Sequence, residues 1–122
     1  MGRLNHLNLA VADVERSRRF YEGWLGFDAG PTEWLGDALF LRDVDAFDLA
    51  LTPVGDETVI VVGRFHFGFQ LRERNEVQAL LAGMQSDGVP VTAVDDEPGF
   101  FSFKCRDPDG YLVEVAWSER GT

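Results

Sequence analysis

Cysteine is almost missing from this chain. Cys105 stands alone among 122 residues, so no internal disulfide and no thiolate metal cluster can form, which fits a reducing compartment. Basic residues are scarce too: eleven Lys and Arg stand against twenty-one Asp and Glu, a formal net charge of -10. That balance excludes the clustered cations a nucleic-acid or anionic membrane surface requires, and it disfavours a highly anionic substrate unless a local cation offsets the field. No apolar run approaches the roughly eighteen residues of a membrane span. The opening MGRLNH already alternates like a strand and lacks the layout of a signal peptide, so a cytoplasmic location is expected. Histidine occurs only twice, at His6 and His66. Plentiful instead are aromatics, ten Phe and three Trp, enough to fill the core of one domain and also line a pocket.

The closing stretch carries the first chemical signal. In DPDGYLVEVAW (107–117) an Asp-Pro-Asp-Gly turn leads into Tyr111, Val113, Val115 and Trp117 alternating with Leu112, Glu114 and Ala116. This predicts a strand with Glu114 facing away from the valines. Alone, such a glutamate is usually solvated. A carboxylate buried there without a partner would cost several kcal/mol, so it needs water, a cation or a metal.

The remaining periodicities predict β-α-β-β-β twice. In the first half RLNHLNLAV (3–11) is a strand, and Asp13 caps a helix that carries Phe20, Tyr21 and Trp24 and ends at Gly26. Strands follow at 27–29, 38–42 and 47–52, with Gly30 and Pro31 breaking the chain. Val59 to Val62 reads as an apolar lead-in to the second half. There Phe65, Phe67, Phe69 and Leu71 alternate with His66, Gly68 and Gln70, the phenylalanines being expected to pack under a helix. Asn75 is the expected cap of that helix, which bears Val77, Leu80, Leu81 and Met84. Strands at 90–94 and 100–105 enclose an acidic turn from Asp95 to Gly99.

The halves are copies. An offset of 60 places His6 on His66 and Phe20, Tyr21 and Trp24 on Leu80, Leu81 and Met84. An offset of 64 lays RDVDAFDLAL (42–51) over RDPDGYLVEV (106–115), so that Ala50 falls on Glu114. Halves related by a pseudo-two-fold axis bring equivalent positions to one place. His6, His66 and Glu114 then form a candidate metal set of two imidazoles and a carboxylate, a facial arrangement that suits a divalent transition metal. Ala50 offers only a methyl where a fourth ligand could stand, which describes an open site rather than a structural one.

LNHLNLAVADVERSRRFYEGWLGF, HFGFQL and the closing DPDGYLVEV together resemble the vicinal oxygen chelate superfamily, over essentially the whole chain. Its members include glyoxalase I, extradiol dioxygenases, fosfomycin-resistance thiol transferases and bleomycin-binding proteins, and the N-terminal pattern is closest to the fosfomycin enzymes. The resemblance implies an α+β fold in which two βαβββ modules, about 1–56 and 60–120, form a curved mixed sheet around a metal cavity. It also implies His6, His66 and Glu114 at the ligand positions, and a homodimer in which two chains share each site.

Departures from the subfamilies narrow the reaction. Glyoxalase I has a second ligand carboxylate where this chain has Ala50. The fosfomycin enzymes have a cationic, serine-rich phosphonate segment where this chain reads VDDEPGFFS (94–102), and extradiol dioxygenases use a further histidine that is absent here. The preferred expectation is a non-haem Fe(II) oxygenase or dioxygenase acting on a mostly apolar or aromatic substrate. The alternatives are a thiol transferase or lyase using Mn(II), Ni(II) or Zn(II), and an antibiotic-sequestering binding protein. Strand parity places Asn8, Asp48, Ala50, Thr52, Gln70, Ser102 and Lys104 on the ligand-bearing faces as candidate substrate contacts, with Arg42 and Lys104 as cations. Lys104 is also a candidate proton donor. Trp34, Phe40, Phe100 and Phe101 are candidate aromatic lining. Cys105 is expected to be a small buried strand residue without a catalytic role.

Overall fold

A computed structural model describes residues 2–28, 33–55, 59, 61 and 63–121. The chain divides into two compact units, Met1–Ile60 and Val61–Thr122. The first contains β1 (His6–Val11), α1 (Val14–Leu25), β2 (Glu33–Leu35), β3 (Ala38–Arg42) and β4 (Asp48–Pro53). Its sheet runs β1-β4-β3-β2, with β1 and β4 parallel and the other pairs antiparallel. Asp13 caps α1 by accepting from the Arg16 N–H at 3.1 Å, and Gly26 closes it in the left-handed region at φ 74. Alternation puts Leu9, Val11, Leu39, Leu41, Leu49 and Leu51 on one face, all buried, where Phe20 and Tyr21 of α1 also lie. Each such side chain contributes about 1.5–3 kcal/mol by leaving water.

The second unit repeats the plan with β5 (His66–Gln70), α2 (Arg74–Ser86), β6 (Val91–Glu97), β7 (Phe100–Arg106) and β8 (Leu112–Ser118), in sheet order β5-β8-β7-β6. Here β5 and β8 are the parallel pair. Its core is Val77 and Met84 of α2 with Phe101, Phe103, Cys105, Val113 and Val115. Arg74, the first residue of α2, ties the helix to the sheet. Its guanidinium lies 5.4 Å from the Phe101 ring and 5.6 Å from the Trp117 ring, donates to the Glu97 carbonyl at 3.1 Å and pairs with Asp96.

The internal repeat seen in the sequence is present in the pairing. His6 pairs with Asp48 and Asn8 with Ala50 in the first unit; His66 pairs with Leu112 and Gly68 with Glu114 in the second. The turns before β4 and β8 repeat as well. One carboxylate oxygen of Asp43 accepts from the N–H groups of Asp45 and Phe47, and one of Asp107 from those of Asp109 and Tyr111, all at 2.9 Å. The fourth turn residue takes a positive φ in both, Ala46 at 63 and Gly110 at 92.

Several expectations are corrected. Of the strand expected at 27–29, Phe27 and Asp28 are not in a strand and position 29 lies outside the described residues, as do Gly30 and Pro31. Phe27 instead packs edge-on to Tyr21 at 6.2 Å, because burying its ring against α1 outweighs extending the sheet, and the second strand is Glu33–Leu35. In the lead-in at 59–62, Ile60 and Val62 lie outside the described residues, and Val59 and Val61 belong to no strand. Asn75 lies inside α2, whose N-cap is Glu73, without a side-chain cap bond. Docking of Arg74 sets that start. The acidic residues Asp95, Asp96 and Glu97 are not a turn but the end of β6, paired with Ser102, Phe101 and Phe100. Pro98 and Gly99 alone make the turn, with Gly99 at φ 78. Carboxylates suit an edge strand, where they reach water and discourage pairing with another chain. Phe65 precedes β5 and is half exposed rather than packed under the helix.

Candidate functional site

Three side chains converge in the second unit. Strand register sets both Gly68 and Lys104 directly beside Glu114. Residues opposite one another share a face, so His66, Gln70, Ser102, Lys104 and Glu114 all project from the face opposite the buried valines. His66 Nε2 stands 3.3 Å from Glu114 Oε1, and Lys104 Nζ stands 3.4 Å from the same oxygen. Gly68 permits the close approach: a Cβ at that position would lie 3.0 Å from the Glu114 carbonyl oxygen and 3.4 Å from its Cβ. The sequence marked Gly68 only as a strand residue.

The ring nitrogens of His66 are unequal. Nδ1 lies 3.1 Å from the Arg64 carbonyl oxygen, which can only accept, so Nδ1 carries the proton. In the neutral ring Nε2 is then a bare lone pair facing a carboxylate oxygen. A proton or a metal ion between them would bind both, and the Lys104 ammonium already offsets the charge of the same carboxylate. A hydrogen bond from the far nitrogen to a backbone carbonyl is also how ligating histidines are oriented. His6, in the first unit, is held the same way. Its Nδ1 lies 2.8 Å from Asn5 Oδ1, an acceptor, which leaves Nε2 as the available donor atom.

These atoms fit a divalent metal by their chemistry. An imidazole nitrogen and a carboxylate oxygen are the donors that zinc, iron and manganese accept. Among the described residues, no group of three or more His, Cys, Asp or Glu gathers as a metal-ligating cluster. The ammonium of Lys104 cannot ligate a metal.

The equivalent face of the first unit is differently furnished. Arg42 donates to Asp48 through Nε at 2.8 Å and Nη2 at 3.3 Å, so these two candidate substrate contacts engage each other. The hydrogen bond from Arg42 holds the Asp48 carboxyl below its ordinary range, aided by the charges of Arg42 and His6, and the guanidinium is raised in turn. Asn8 Oδ1 accepts from Thr52 Oγ1 at 3.0 Å. Ala50 is buried between Asn8 and Phe40 in the strand register. Trp34 pairs with Leu39, a residue of the helix-packed face, so register places it opposite His6, half exposed.

In the second unit Gln70 donates to the Gly121 carbonyl at 3.3 Å. Phe100 lies on the Glu114 face, whereas Phe101 is core beneath Arg74. Ser102 is 1% exposed, and its hydroxyl has no hydrogen-bond partner, a feature no sequence pattern signals. Burial raises the Cys105 thiol to about 11, with the nearby Asp107 charge adding to the effect, which keeps it an unreactive thiol as expected.

Comparison with known proteins agrees with this architecture. YqjT of Bacillus subtilis is 29% identical, covering 92% of this chain and 96% of its own. The structure of a possible glyoxalase from Bacillus cereus superposes with a TM-score of 0.76 at 28% identity, covering 93% of this chain and 96% of that one. The fosfomycin resistance protein FosX from Listeria monocytogenes reaches 0.80 at 16% identity, covering 97% and 94%, a likeness of fold. The model of one family matches residues 3–115: this chain belongs to the Glyoxalase/Bleomycin resistance protein/Dioxygenase superfamily.

Proposed function

We propose that this chain is a divalent-metal-dependent enzyme that binds a small substrate through two neighbouring oxygen atoms, with His6, His66 and Glu114 as the metal ligands. One observation carries the reading: His66 Nε2 and Glu114 Oε1, two metal-donor atoms, face each other at 3.3 Å while Nδ1 of the same ring rests against the Arg64 carbonyl. The Nδ1 of His6 likewise engages a neighbour, Asn5 at 2.8 Å, which leaves Nε2 for a metal and supports its role as the second imidazole. Ala50 adds no fourth protein ligand, which leaves positions for substrate. Within this class the two-imidazole, one-carboxylate set favours Fe(II) and oxygenase chemistry on a largely apolar substrate, where the metal would supply oxygen activation. The chain's own residues hold the ligands in place: the Arg64 carbonyl and Asn5 orient the histidine rings, and Gly68 makes room for Glu114.

Elemental analysis of protein purified without oxygen tests this directly. Wild type is expected to hold near-stoichiometric iron, and Glu114→Ala and His66→Ala to lose at least about 100-fold in metal affinity, since even outer partners of metal ligands are worth 10–100-fold. Stoichiometric manganese, nickel or zinc instead would redirect the reaction to lyase or thiol transfer. No metal in any of the three proteins would overturn the enzyme reading in favour of ligand sequestration.

A further inference from the structure

Resting on that metal-dependent reading, we propose that Lys104 and Ser102 form an anion-binding subsite beside Glu114, and that the substrate carries a carboxylate next to its metal-binding oxygen, as an α-hydroxy or α-oxo acid does. Without metal, the carboxylate of Glu114 is the counterion of Lys104, 3.4 Å away and only partly exposed. A divalent cation taken up by His66 and Glu114 engages that same carboxylate. One carboxylate, one ammonium, a neutral imidazole and a divalent cation then leave two positive charges in partly buried surroundings, and this excess calls for an anion. Asp95, across β6 from Ser102, is exposed, so solvent screens its charge.

Ser102 supplies the independent observation. It lies two residues before Lys104 on β7 and on the same face. Its buried hydroxyl is the one side-chain polar atom, among the described residues, that is both buried and without a partner. Such a group costs free energy until something bonds to it, and among the described residues nothing does. The internal repeat sharpens the point: the position equivalent to Lys104 is Phe40, and the one equivalent to Ser102 is Ala38, so this donor pair belongs to the glutamate-bearing half alone. In a chain of net charge -10, a cation held at this spot answers the repulsion that otherwise disfavours an acidic substrate.

Isothermal titration of the Mn(II)-loaded full chain with lactate and with acetoin tests the subsite. Both probes offer two vicinal oxygens, and only lactate is a carboxylate. Wild type is expected to prefer lactate by about tenfold or more, the worth of a charge-assisted hydrogen bond. Lys104→Met should erase most of that preference while still binding Mn(II), Ser102→Ala should weaken it by a smaller factor, and Lys104→Arg should retain it. Mn(II) binding with an equal preference in wild type and Lys104→Met overturns the subsite alone. Failure of folded wild type to bind Mn(II) overturns the metal reading and the subsite with it.

Discussion

The two halves of this chain share one backbone plan, yet among the described residues only the second brings an imidazole, a carboxylate and an ammonium together. On the face that bears the histidines, the first half sets Asn8, Ala50 and Phe40 side by side, where the second sets Gly68, Glu114 and Lys104. Next along, His6 lies beside an Asp48–Arg42 ion pair that satisfies itself, while His66 lies beside Leu112 and turns to Glu114 for its contact. The two halves therefore share the strand order and the turns before their last strands, and differ in their helix caps and at the few positions where strands pair across the sheet. The glycine, the carboxylate and the ammonium are packed side by side. A side chain at 68 would crowd Glu114, and a carboxylate at 114 without Lys104 or a metal would be a partly buried charge with no counterion.

Making the second half resemble the first should break this arrangement most severely at Gly68. Gly68→Asn, which copies Asn8, forces atoms into the space against the Glu114 backbone. It is expected to cost about 1–3 kcal/mol, as overpacking does, and to lower metal affinity, read by urea unfolding and metal titration. Unchanged stability and affinity would show that Glu114 has room the contact distances deny.

Arg74 offers a middle-sized test. Its equivalent in the first half is Val14, which has no comparable lock. Arg74→Ala removes the stacking on Phe101 and Trp117 together with the bond to the Glu97 carbonyl, an expected loss of about 1–2 kcal/mol in thermal or urea unfolding. A neutral result would mean that α2 is held by Val77 and Met84 alone.

The smallest effect should come from the shared turn, and with opposite sign. Ala46 adopts a left-handed backbone at φ 63 where its counterpart is Gly110. Ala46→Gly should stabilise the protein by up to about 1 kcal/mol, because glycine adopts that region without the Cβ penalty. Gly110→Ala should destabilise by a similar amount. If both substitutions destabilise, the two turns are not equivalent.

Much of this organisation is legible in the residues themselves. Strand alternation put Glu114 opposite Val113 and Val115, and the 60 and 64 offsets marked the equivalent positions of the two halves, down to Ala50 and Glu114 as counterparts. Asp13 and Gly26 mark the ends of α1 by chemistry that acts within a few residues. Legibility failed where local signals compete. Asp95 to Glu97 have turn composition, but the two-residue Pro98–Gly99 turn extends β6 through them. Asn75 is the better capping residue, yet Arg74 starts the helix by docking on Phe101 and Trp117. Trp34 reads from the sequence as a pocket candidate, and its pairing with Leu39 turns it to the other face.

By itself, then, the sequence determined the duplicated β-α-β-β-β plan, the face on which each histidine and Glu114 lies, and the family. All three follow from period-two alternation, turn residues and motif order, which are properties of neighbouring residues. Tertiary structure alone decided that Lys104 meets Glu114, that Gly68 stands against its backbone, that His66 Nε2 faces Glu114, and that Ser102 is buried without a partner. The reason is register. Sliding one strand by two residues leaves every side chain on its own face and changes every neighbour, so alternation cannot choose among such pairings, and the packed sheet must.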